Sequence, residues 1–204
     1  MKRLILIMVV MFSYCFMSDA RKTTTYPRMT FGVEWGYMAT FYSGYHYNFF
    51  APEGYRVDPR GHSFGLDSNA EGYLNAGYNI NEQLNISAYI GVSAVMEHHF
   101  TIPASIRLTR YFGKDPLKDR WLSFIDLGSG ISIQEHPREI LVGKLGGGYR
   151  MSLSRNTKLD FLFAYRCILT HPEIEYYGTP IAHDRVNRNN AYSSALSIGM
   201  ALVF

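Results

Sequence analysis

The sequence predicts an all-β chain, an eight-stranded antiparallel up-and-down transmembrane β-barrel. Three observations carry that expectation. Apolar side chains recur at every second residue through segment after segment, and successive side chains of a strand point to opposite faces. The face opposite the apolar one is made mostly of Gly, Ala and Ser with an occasional full charge. The segments number about eight, and the connections between them alternate between short and long, as in single-chain outer-membrane barrels. The last stretch shows the pattern most cleanly. Tyr192, Leu196, Ile198, Met200, Leu202 and Phe204 alternate with Ser193, Ala195, Ser197, Gly199 and Ala201.

Bulk composition agrees. Of 204 residues, 47% are hydrophobic and 15% aromatic, enough for one domain with a full core. Mean hydropathy is -0.10, too low for a bundle of membrane helices. Only alternate residues of a barrel strand meet lipid, so a barrel passes that test unseen. The first twenty residues read differently. Lys2 and Arg3 precede an apolar run from Leu4 to Phe16, and Ser18-Asp19-Ala20 offers small residues at a cleavage site. Residues 1–20 are expected to be a secretory signal peptide and 21–204 the barrel domain, with Sec export and removal of the leader. Removal takes away two cations and one anion, so the processed chain stays close to balance. It carries no basic stripe, and no nucleic-acid partner is expected. Cys167 is then the one cysteine left, which excludes an intramolecular disulfide.

In chain order, the first strand puts Phe31, Val33, Trp35, Tyr37, Ala39 and Phe41 outward against Gly32, Glu34, Gly36, Met38 and Thr40. A Gly-, Tyr- and Pro-rich stretch, Ser43 to Leu66, reads as a long loop. Leu74, Ala76, Tyr78 and Ile80 make the second strand, a turn follows at Asn81-Glu82-Gln83, and the third runs from Leu84 to Ala94. Beyond Glu97-His98-His99 the fourth holds Ile102, Ala104, Ile106 and Leu108. Pro103 donates no ladder bond, so a bulge or strand end is expected there. After a turn at Gly113–Asp119, Ile125 to Ile133 is the fifth strand, and Gln134–Glu139 a loop. Leu141 to Arg150 is the sixth, Leu159 to Cys167 the seventh. A second long loop, His171–Asn190, leads to the closing strand. The short turns share one side with the termini, and the loops share the other.

The direction of the alternation separates a membrane barrel from a soluble one. A soluble barrel solvates its polar face, but here that face is too small-residued to do so and suits a narrow lumen, which eight strands leave just wide enough for side chains. Glu34, Glu71, Asp126 and Asp160 face inward, as do Arg107, Lys144, Arg150 and Arg166. Buried ions need partners, so these eight residues are expected to form a paired plug. Aromatics gather near both sets of strand ends, Tyr42, Phe100 and Tyr192 at one and Tyr111, Trp121 and Phe204 at the other. Girdles of that kind mark membrane interfaces.

With these features in view, the chain resembles the small eight-stranded Gram-negative outer-membrane barrels, the OmpA/OmpX-like group. The resemblance implies residence in the cell outer membrane, with membrane lipid as surroundings. It also implies that Ile198, Met200, Leu202 and Phe204 are the signal that the barrel-assembly machinery reads during insertion.

The sites weigh toward a structural or surface-interaction role, as an adhesin or complex subunit that meets a surface ligand or outer-membrane partner through its loops. A narrow porin and a lipid A-modifying enzyme are the alternatives. Gly128-Ser129-Gly130 lacks the nucleophile-elbow pattern, and Gly143 to Gly148 lacks the Gly-Lys-Ser/Thr order of a phosphate loop. His62-Ser63 falls in the expected first loop and no His falls within an expected strand, so no enzyme is expected. All seven histidines, His46, His62, His98, His99, His136, His171 and His183, map to one rim with scattered carboxylates. Their spacing matches no compact ligand motif, so neither metal nor other cofactor is expected.

Overall fold

A computed structural model describes residues 27–96, 99–113, 115–133, 138–154, 156–172 and 174–204. The expected leader, 1–20, and the residues Glu97, His98, Glu135, His136 and Glu173 lie outside them. The strands are β1 (Met29–Phe50), β2 (Arg56–Val57), β3 (Arg60–Asn79), β4 (Leu84–Met96), β5 (His99–Tyr111), β6 (Arg120–Ile133), β7 (Arg138–Ser152), β8 (Lys158–Thr170), β9 (Glu175–Tyr176), β10 (Thr179–Pro180) and β11 (Val186–Val203). Eight of them form a wall in the order β11-β8-β7-β6-β5-β4-β3-β1, and β11 pairs back onto β1. Every wall pair is antiparallel, which makes the fold an eight-stranded up-and-down barrel. Phe204 closes the ring by exchanging two backbone hydrogen bonds with Phe31, at 2.7 and 3.1 Å.

The alternation sorts as its chemistry demands. Phe31, Val33, Trp35 and Tyr37 stand exposed on the outside of β1, while Thr30, Glu34 and Met38 are buried inside. The outer wall continues through Leu74, Ile90, Ile106, Leu127, Leu145, Phe163 and Ile198. At a rise of ~3.3 Å per residue and a tilt of roughly 40°, the stretch from Phe31 to Tyr42 climbs about 28 Å, close to the ~25 Å apolar band of outer-membrane barrels. Glycine serves where strands crowd at the lumen: a Cβ on Gly32 would come within 2.7 Å of the Leu202 carbonyl oxygen.

Three expectations need correction. The stretch Ser43–Leu66 is mostly strand. β1 runs to Phe50 and β3 starts at Arg60, leaving a turn of 51–59 that contains β2. These residues alternate poorly in the sequence because the extension stands clear of the band and neither face sees only lipid or only core. In the same way β11 starts at Val186, and the loop before it holds the β9–β10 hairpin, whose turn residues Tyr177 and Gly178 have φ of 50° and 75°. That sign at both central positions is the type I′ requirement. Pro103 neither ends nor bulges β5. The register to β6 is unbroken through Pro103↔Gly130, and the register to β4 is the same before and after. What proline removes is the ladder opposite Gly91 and Val92, between the pairs Ile90↔Ala104 and Ser93↔Thr101.

β1 carries an irregularity at Phe41, where its registers to both β11 and β3 shift between Thr40 and Tyr42. Beyond it, β11, β1 and β3 continue past the rim as a three-stranded sheet, since β8 leaves β11 after Thr170↔Ala191 and β4 leaves β3 after Glu71↔Ser93. The last loop packs back on this sheet through Phe49, Ile174 and Ile181, with Tyr47, Val57, Tyr176 and Val186 around them.

Candidate functional site

The lumen gathers all eight charged residues that the alternation placed inside, each 7% exposed or less. They fall into three groups. In the first, Arg107 is the hub. Its Nη1 and Nη2 fork onto Glu34 at 2.6 and 3.1 Å, and its Nε and Nη2 donate to Asp126 Oδ2 at 3.1 and 3.0 Å. Tyr89 lies under one face of the guanidinium at 4.0 Å and Phe124 at 4.3 Å. Arginine suits this place because a planar fork meets two carboxylates and stacks on rings at once. In the second, Glu71 is the hub. It accepts from Lys144 Nζ at 3.0 and 2.9 Å, from Arg166 Nη1 at 3.0 Å and from the Tyr73 hydroxyl at 3.2 Å. In the third, Arg150 pairs with Asp160 through two parallel bonds of 2.6 and 2.7 Å.

The first group carries one excess negative charge and the second one excess positive charge, so the four cations and four carboxylates cancel only as a set. Lys144 and Asp126 are partners across the β6–β7 ladder, which joins the two groups. Arg166 is 0% exposed, and its Nη1 also donates to Ser93 Oγ at 2.7 Å and Met38 Sδ at 3.0 Å. Its Nε and Nη2 have no hydrogen-bond partner among the described residues.

Several lumen residues escaped the sequence reading. Arg120, at the mouth of a turn, shares the Tyr111 ring with Arg150 at 4.1 and 4.3 Å and donates to the Glu82 carbonyl oxygen at 2.6 Å. Its position beside a polar turn hid it. The interior is also greasier than expected. Tyr111, Leu122, Phe124, Leu162, Ala201 and Val203 pack together near the turn side. Ile140, Val142 and Ile168 pack toward the loop side. Ions between two apolar layers leave little space. The lumen beside Arg107 and Arg150 holds a cavity of about 20 Å³, room for roughly one water.

A larger concavity, about 600 Å³, lies outside the wall, floored by Gly36, Gly148 and Gly199 and walled by Trp35, Trp121, Phe161 and Met200. Its lining is apolar throughout and belongs to the outer band. On the closing strand, Ile198 and Phe204 are exposed outward and Met200 and Leu202 less so, all four on one face.

At the rim, the structure corrects the placement of the histidines. His46, His62 and His99 lie within strands β1, β3 and β5. His46 Nε2 bonds Asp58 Oδ1 at 2.8 Å, and Arg188 Nη1 stands 3.1 Å from Nδ1. Both ring nitrogens are thereby engaged: Arg188 can only donate, so Nδ1 accepts and Nε2–H faces the carboxylate. A serine-hydrolase relay needs a nucleophile where the arginine stands. The Arg60 guanidinium beside Asp58, followed by His46, holds that carboxyl below the usual range. Twelve positions separate His46 from Asp58, with no motif between them to mark the pair. Among the described residues, no three His, Cys, Asp or Glu side chains converge on a point that could hold a metal.

No family model matches the sequence, and no curated protein is significantly similar to it. Solved structures do share its fold. The outer membrane protein OprG from Pseudomonas aeruginosa is 11% identical with a TM-score of 0.50, over 88% of this chain and 97% of that one. The outer membrane protein AlkL, solved in DMPC bilayers, is 12% identical with a TM-score of 0.50, over 92% and 95% of the two chains. At such identities the likeness speaks for architecture alone. By wall order, strand direction and the outward apolar band, the chain has the fold of the small eight-stranded outer-membrane barrels.

Proposed function

We propose that the chain is a resident of the outer membrane that serves as a structural or surface-interaction barrel. The observation that carries this reading is the filled lumen. An outward face this apolar cannot be left in water without severe cost, whereas an inside packed with paired ions and apolar layers offers no continuous path. What then remains to meet other molecules is the loop side, where β11, β1 and β3 rise above the wall and the last loop is folded onto them. Rigid strands supporting an aromatic, polar surface are suited to recognition. The His46–Asp58–Arg188 arrangement supports a clasp that ties the first turn to β1 and β11, since each part of the imidazole already has a partner. The processed form begins after residue 20 on this reading, and the outward residues of β11 act as the insertion signal.

The test is electrical. Purified barrel inserted in planar bilayers is expected to leave the membrane at its baseline conductance. Discrete openings of uniform size would mean that the ion groups line a path, and the porin alternative would replace this one. Insertion itself is scored separately, by whether the protein floats with the lipid.

A further inference from the structure

The projecting sheet has an unusual edge. From Arg60 to Phe64, β3 pairs with β1 at His46 to Tyr42 on one side, and no described residue pairs with the other. Pro59 and Asn79 direct backbone groups at β1, through the bonds Tyr47 N–H to Pro59 O and Asn79 N–H to Arg28 O. Alternation then turns the N–H groups of Arg60, His62 and Phe64 away from it, toward the open side. The partners on β1, Tyr42 to His46, stand at and above the top of the apolar band, which puts this edge at the level of headgroups.

Side chains on that edge agree with the level. Phe64 is 75% exposed and Leu66 78% exposed. Phe64 packs on Tyr42 at 4.9 Å, and Tyr42 on Tyr192 at 5.7 Å, so these rings cap the outer apolar band. Directly above, on the same outward face, stand His62, stacked edge-on to Phe64, and then Arg60, His46 and Arg188. Arg56 joins them, donating to Asn48 Oδ1 at 3.0 Å. Asp58 is the carboxylate among them, and it is already engaged by Arg60 and His46 at 3.1 and 2.8 Å. Three arginines and one carboxylate leave the face net positive.

We propose that this face binds the phosphate-bearing headgroup of a membrane lipid in the leaflet it faces, with Arg56, Arg60 and Arg188 supplying charge, free edge N–H groups of Arg60 and His62 donating to phosphate oxygens, and Phe64 and Leu66 against the acyl chains. The proposal rests on the outer-membrane reading above. Continuity with the lipid-facing band selects a lipid over a soluble anion, and the excess of cations selects a phosphate over a neutral headgroup. Backbone N–H groups and arginine forks together form a setting suited to phosphate.

The experiment is amide hydrogen exchange on the full barrel in phosphatidylcholine bilayers carrying diphosphorylated lipid A, dephosphorylated lipid A or neither. The phosphorylated lipid is expected to slow exchange at Arg60, His62 and Phe64, and its dephosphorylated form to leave it unchanged. In the double variant Arg60→Gln, Arg188→Gln the lipid affinity should drop about fivefold per cation lost, the equivalent of about 1 kcal/mol each. Arg110→Gln, at the opposite end of the barrel, should keep it. Unchanged gel mobility before and after boiling, relative to the parent, verifies that each variant still forms the barrel. Equal slowing by both lipids, equal affinity of the double variant, or the same protection from inorganic phosphate would each overturn the proposal while leaving the barrel in its membrane. Failure to associate with any of the bilayers would instead overturn the outer-membrane reading itself.

Discussion

Arg107 is the residue on which most of the lumen's order depends. It bridges Glu34 and Asp126 and is clamped between Tyr89 and Phe124. Arg107→Ala would leave two buried carboxylates facing each other, and breaking a buried pair in this way costs about 3–5 kcal/mol. Urea unfolding in micelles should show that loss. Replacing Arg150 and Asp160 together by apolar residues of similar volume should cost much less than removing either one, because that pair is neutral by itself and nothing charged is then left unpaired. Asp58 offers a second prediction at this scale. Its folded carboxyl titrates below the ordinary value because Arg60, and after it His46, bond the charged form. The contribution to stability is therefore complete above the unfolded carboxylate range, about pH 4, and is lost as pH falls through the lowered folded value. Limited proteolysis of the turn 51–59 should accelerate on acidification over that window. In Asp58→Asn it should already be fast at neutral pH and show little further change.

Elements were legible in proportion to how differently their two faces are surrounded. β8 reads without ambiguity, since Leu159, Phe161, Phe163 and Tyr165 look outward and Asp160, Leu162, Ala164 and Arg166 inward. The upper half of β3 does not, because residues 62–68 are exposed whichever way they point. Ion partners were a harder problem. Alternation assigns Glu34 and Arg107 to the lumen, but their level along the axis depends on strand register, and 73 positions separate them. Neither Arg120 nor the His46–Asp58 contact leaves any periodic trace. Where the alternation is strict, its orientation is testable. Ile198 sits between Tyr37 and Phe163 in the ladder, near mid-band. Ile198→Arg should cost roughly 2–4 kcal/mol in lipid, the depth-dependent penalty for a midplane cation on a barrel. The same substitution at Tyr192, on the rim, should cost about 1 kcal/mol or less. Equal penalties in a bilayer unfolding titration would mean that the band lies elsewhere.

At the scale of the molecule, the wall closes on itself through the β1–β11 ladder, so no end strand is left open to pair with another chain. Detergent extracts run on a gel should give a compact, fast-migrating form before boiling and a slower form after it. Coincident mobilities would argue that the ring is open. Among the described residues its rim is tall over β11, β1 and β3. The lumen pairs join strands distant in sequence: Glu71 meets Lys144 across 73 positions and Arg166 across 95. A sheet curled only halfway would hold Glu71 on one margin and both its cations on the other, each exposed to a medium that cannot solvate it. Such half-formed states are disfavoured by electrostatics as well as by the loop closure that distant pairings demand. Insertion is therefore expected to be slow and all-or-none, and the finished cylinder, once sealed, to persist because leaving requires the same crossing in reverse.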